Sequence, residues 1–164
     1  MARVLLFTLT LLLGACAGHT PVPASSPELT AALPISLQIT RTQNAEQRDW
    51  LLVVQAEGSA LRWSLFDPLG VPLARQLLEH GVWRNDGLLP PNTEARELFA
   101  ALLFALTRDD ALASYPASSW QRETDGQRRL TPDWQIRYRS PIDFTLATHD
   151  LNYRVRALNP EEEH

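Results

Sequence analysis

Short segments of strict apolar and polar alternation stand on both sides of one stretch of helical spacing, and few folds accommodate that order. Ile35, Leu37 and Ile39 alternate with Ser36, Gln38 and Thr40, the period-two signature of a half-buried strand. After a polar turn at Asn44 to Arg48, the run Trp50 to Ala56 is apolar on both faces and reads as a central strand. Gly58 and Ser59 turn the chain into Leu61 to Phe66, where Leu61, Trp63 and Leu65 share a face. Asp67-Pro68-Leu69-Gly70-Val71-Pro72 is a loop by its two prolines and glycine, with Leu69 and Val71 as apolar residues set in a turn. Strands resume at Leu73 to Leu78 and Gly81 to Arg84.

The helical stretch then opens on Pro91 and Asn92, carries Glu94 in its first turn, and places Ala95, Leu98, Phe99, Leu102, Leu103, Ala105 and Leu106 on a wide apolar stripe. Asp109 to Ser114 adds a short helical turn, stopped by Pro116. Trp120 to Glu123 and Arg128 to Leu130 flank Asp125-Gly126, a preferred hairpin centre. Trp134, Ile136 and Tyr138, then Phe144 and Leu146, then Leu151, Tyr153 and Val155 alternate with polar residues. The reading is an α+β domain: seven to ten antiparallel strands in a sheet large enough to curl, covered by one long and one short helix as an incomplete β-barrel.

Before the domain, Arg3 and the apolar run Val4 to Leu13 have the make-up of a secretory signal, too short to span a bilayer. Leu13-Gly14-Ala15-Cys16 looks like a lipobox, in which the Cys16 thiol receives a diacylglycerol; the alternative is an ordinary signal with an incidental cysteine. Cys16 is the only cysteine, so it has no disulfide partner within the chain. Acylation at Cys16 would hold the protein on a membrane without a spanning helix. By resemblance to lipoprotein sorting rules, Ala17 after the cysteine directs the protein to the outer membrane, on its periplasmic face. The domains read as a signal peptide at 1–15, a lipidated cysteine and flexible Pro-rich tether at 16–33, one domain at 34–158, and a disordered tail at 159–164.

Without Arg3, fourteen arginines face nineteen acidic residues, a formal charge of −5 with no basic footprint for nucleic acid. His19, His80, His149 and His164 are scattered, with none of the spacings a metal site needs. No Gly-x-Ser-x-Gly elbow or glycine-rich phosphate loop occurs. Asp109-Asp110 reads as a cap and solvated charge, and Arg137, Arg139, Arg154 and Arg156 as a solvated strand face in preference to a headgroup site. The expectation is a protein without catalytic residues, metal or cofactor.

Phe66-Asp67-Pro68-Leu69-Gly70, then Arg84-Asn85-Asp86-Gly87, a helix opening at Thr93-Glu94-Ala95, and Asp133-Trp134-Gln135-Ile136-Arg137-Tyr138 resemble the outer-membrane lipoprotein receptor LolB and its relatives. The chain also resembles a set of proteobacterial lipoproteins encoded beside aryl polyene biosynthesis genes. The resemblance covers roughly Ile35 to Leu158. It implies an incomplete barrel of the LolA/LolB kind that binds lipid or lipoprotein acyl chains, such as palmitate, in an apolar cavity and delivers them to the membrane. It makes Leu69 the delivery residue and a LolA-like periplasmic carrier the partner, although Leu69 could also fold back onto the core. The cavity under this reading is lined by Trp50, Val53, Leu61, Trp63, Leu98, Leu102, Trp134, Ile136 and Tyr153. Periodicity alone leaves open a solid-cored interaction or assembly lipoprotein of an envelope biosynthesis or export system, since an apolar face can line a void or meet a helix.

Overall fold

The computed structural model describes residues 18–158; the signal segment, Cys16, His164 and the acidic tail at Glu161 to Glu163 lie outside the described residues. Ten strands form one antiparallel sheet: β1 (Ile35–Gln43), β2 (Glu46–Glu57), β3 (Ala60–Phe66), β4 (Pro72–Glu79), β5 (Val82–Asn85), β6 (Trp120–Arg122), β7 (Arg128–Leu130), β8 (Trp134–Ser140), β9 (Asp143–Ala147) and β10 (Asn152–Ala157). Their order across the sheet is β5-β4-β3-β2-β1-β10-β9-β8-β7-β6. Two meanders are therefore joined where β1 pairs with β10, and β5 and β6 are free edges.

The polar turn expected over Asn44 to Arg48 is tighter than that. Asn44 and Ala45 alone make it, both at positive φ, and β2 already starts at Glu46. Helix α1 (Thr93–Leu106) begins where Asn92 accepts a hydrogen bond from the Ala95 N–H at 3.0 Å, satisfying one of the orphan donors of the first turn. A six-residue 3-10 helix, Asp109–Ser114, and a shorter one, Ala117–Ser119, complete the crossing.

Topology dictates where α1 must lie. It joins one edge strand, β5, to the other, β6, so it crosses a whole face of the sheet. Laid flat, ten strands would span about 43 Å, four times the width of a helix. Yet Trp83 on β5 packs on Phe99 with ring centroids 6.0 Å apart, and Trp120 on β6 packs on Phe104 at the same separation. Both edges touch one helix, so the sheet is curled around it without closing. Ten residues of α1 are buried, from Ala95 and Leu98 through Leu106.

Candidate functional site

The concave face is built from alternate residues of each strand. Ile35, Leu37 and Ile39 on β1, Leu52 and Val54 on β2, Leu61, Trp63 and Leu65 on β3, Ile136 on β8, Phe144 and Leu146 on β9, and Tyr153 and Val155 on β10 all join one core with α1. Of the nine residues expected to line a cavity, six belong to this face and two, Leu98 and Leu102, lie on α1 against it. Trp50, Trp134 and Tyr153 form an aromatic row, with centroids 6.2 Å and 6.1 Å from Tyr153, and Trp63 lies 5.5 Å from Phe99. Leu98 and Leu102 are fully covered.

Val53 is the exception. It pairs with Ser36 and Ser64 on the opposite face, out of phase with the buried Leu52 and Val54, and is half-exposed. An apolar run on both faces hides its own phase; the register with β1 and β3 fixes it.

The six on the sheet face α1, to which Leu98 and Leu102 themselves belong. Aromatic rings and leucines of α1 occupy the hollow of the sheet, and the hollows that do open lie elsewhere. One of about 640 Å³ sits at the C-terminal end of α1, beside Ala105 and Tyr138, and is rimmed by Arg108, Arg122, Arg128, Arg139, Asp109 and Asp110. Its charged rim is unlike the apolar lining that hydrocarbon requires. A second, about 350 Å³, lies by Trp120, Leu130 and Trp134. Neither is lined by the Asp67–Val71 turn.

Two polar clusters pin α1 to the sheet. At its N-terminal end, Glu94 accepts from Arg41 Nε at 2.5 Å and from the Tyr153 hydroxyl at 2.7 Å, while Arg41 also lies 5.8 Å over the Trp50 ring. Burial works to raise the Glu94 carboxyl, but the hydrogen bonds from Arg41 and Tyr153 and the Arg41 charge outweigh it, leaving the group below its ordinary value. Burial, reinforced by Glu94, pushes the Tyr153 hydroxyl well up. At the other end, buried Arg128 donates to the Phe104 and Thr107 carbonyls, both at 3.0 Å, and to Asp109 at 2.6 Å. Its guanidinium also stacks over Tyr138 and Phe104. Arg128 caps the end of the helix, adding a second donor to the Phe104 carbonyl, which also accepts the Thr107 N–H at 3.2 Å, and supplying one to the Thr107 carbonyl. Its signal in the sequence is parity: it alternates with Leu130 on the inward side of β7.

Asp109 is thus held between Arg128 and Arg122, the latter at 2.7 Å, and is not simply solvated. Among the four strand arginines, Arg154 pairs across to Asp143 at 2.5 Å and Arg137 bonds to Gln127 at 3.0 Å, consistent with a polar outer face.

Leu69 points away from the body and is 90% exposed. The turn holding it is firm. The Asp67 carboxylate accepts from the Leu69 and Val71 N–H groups at 2.9 and 2.8 Å, and the Asp67 N–H donates to the Val71 carbonyl at 3.0 Å. Gly70 supplies the positive φ that this turn requires.

The stretch expected as a free tether is docked along the body from Thr20 onward. Thr20 is buried, donating its N–H to Glu97 at 2.7 Å and accepting from the Trp134 indole at 2.8 Å. The Thr30 N–H reaches the Leu106 carbonyl at 2.8 Å, and Val22, Leu29, Ala31 and Leu33 pack against the core. This strap lies over α1. Among the described residues no helix is long and apolar enough to cross a membrane. Compared with protein-family models, curated proteins and solved structures, the chain matches none of them.

Proposed function

We propose that this chain is an outer-membrane lipoprotein with a LolB-like body, anchored through acylated Cys16, that delivers lipid or lipoprotein acyl chains to the membrane. The observation that carries this reading is Leu69, held 90% exposed on a turn braced by Asp67. A leucine fixed outward gains nothing in water and about 1.5 to 3 kcal/mol on entering hydrocarbon. The curled, unclosed sheet supports the same reading, because it is a shell with a concave apolar face. Since α1 fills that face, cargo can enter it only when α1 and the strap yield. A LolA-like carrier is the proposed donor. The test is transfer of an acylated cargo to vesicles by the full lipidated protein: Leu69→Glu is expected to lower delivery about tenfold or more with an unchanged melting temperature. Unchanged delivery would remove Leu69 from the mechanism.

The filled interior favours a second reading, a solid-cored assembly lipoprotein that binds its partners by its surface. Native mass spectrometry of the lipidated protein separates the two. Acyl mass beyond the anchor supports carriage, and a bare anchored mass together with an inert Leu69→Glu supports assembly.

A further inference from the structure

Strand register gathers several distant features at one end of the sheet. The Asp67–Val71 turn joins β3 to β4 there. Because β5 runs antiparallel to β4, it heads toward that end: Asn85 lies opposite Gln76, the Asp86 N–H meets the Arg75 carbonyl, and the connection runs on to Asn92, whose side-chain amide donates to the Leu73 carbonyl at 3.5 Å beside the turn. That connection carries Leu88, which is fully exposed. Across the sheet, β1 ends, β10 begins, β9 ends and β8 begins at this end too, since Thr42 pairs with Asn152, Asn152 with Ala147 and Ala147 with Gln135. Trp134, the first residue of β8, holds Thr20.

We infer that this end of the body lies against the bilayer and that Leu88 is a second apolar prong beside the Leu69 turn. The inference rests on the reading of Cys16 as the anchor. Thr20 is four residues beyond Cys16, a span of at most about 14 Å when fully extended, so the lipid must enter close to where Thr20 is bound. Of the five large apolar residues exposed among the described residues, three, Leu69, Val71 and Leu88, lie at this end. On the side of this end that holds the Leu69 turn and Thr20, the acidic groups are engaged: Glu94 with Arg41, Glu97 with His19 and the Thr20 N–H, Asp86 with Arg62 and Arg75, and Asp67 within its own turn. The exposed ionisable groups Glu46, Arg48, His149 and Asp150 stand at the β1–β2 and β9–β10 turns. The side of this end that holds the two leucines presents hydrocarbon, fitted to a lipid surface without need of anionic headgroups.

The lipidated full chain supplies its own test, because acylation consumes its only native thiol. Leu88→Cys, Leu69→Cys and, at the opposite end, Ser59→Cys can each be labelled with a solvent-sensitive fluorophore in phosphatidylcholine vesicles that contain nitroxide lipid. Labels at 88 and 69 are expected to shift to the blue and be quenched, and the label at 59 to do neither. Lipidated protein, verified by intact mass, whose labels at 88 and 59 respond alike would overturn the inference while leaving the anchor standing. An intact mass without lipid would instead remove the anchor, and the inference with it.

Discussion

Ala45 occupies the second position of the β1–β2 turn with φ of +67°, next to Asn44 at +49°. Asparagine tolerates left-handed backbone, whereas alanine carries a Cβ that crowds the adjacent carbonyl. The neighbouring hairpin between β4 and β5 meets the same demand with His80 at +50° and Gly81 at +74°. Ala45→Gly is therefore expected to stabilise the domain by up to about 1 kcal/mol, seen as a higher urea midpoint at constant slope. At this scale the sequence was readable in its signals and silent in its angles: Leu69 stood out as an apolar residue in a turn, but only the Asp67 hydrogen bonds say which way it points. Leu88 gave no comparable signal, being one of two adjacent leucines in the short Gly87-Leu88-Leu89-Pro90 stretch.

Helix α1 shows what periodicity can and cannot carry. Its bounds and buried stripe follow from Asn92 and the spacing Leu98, Phe99, Leu102, Leu103 and Leu106, and the strand phases follow from alternation. The charged pins at its two ends do not, because Arg41 and Glu94 at one end, and Arg128 and Asp109 at the other, stand far apart in sequence and meet only through the tertiary fold. Arg128→Leu is expected to destabilise the domain by about 3 kcal/mol in chemical denaturation, since it strips two helix carbonyls and Asp109 of a shared donor. The Glu94 pin sets a pH dependence. Its carboxyl lies below the ordinary 4.5, so its contribution is complete above that value and is lost as pH falls through the lowered one. Stability measured by denaturation is expected to decline below about pH 4.5, and Glu94→Gln to flatten part of that decline. An equally steep acid limb in Glu94→Gln would assign it to other carboxylates such as Asp109, which Arg128 and Arg122 hold down against the opposing effect of burial.

For the molecule as a whole, the strap is the feature that composition concealed: a run of Pro, Ala, Ser and Thr reads alike whether loose or docked. Its docking is tight at Gly81, where an added Cβ would come within 2.9 Å of the Pro23 carbonyl oxygen. Gly81→Ala is expected to cost about 2 kcal/mol through that approach and the positive φ together, and to speed proteolysis between residues 20 and 33. Unaltered proteolysis would mean that the hairpin gives way and the strap does not. The pairing of β1 with β10 carries a different consequence. Among the described residues the first and last strands form the only strand pairing between the two halves of the sheet, so a nascent chain holds two unpaired meanders until its last strand emerges. A premature stop before Asn152 would then leave a polypeptide with most of its hydrophobic residues present and no completed shell to hide them, a substrate for proteolysis.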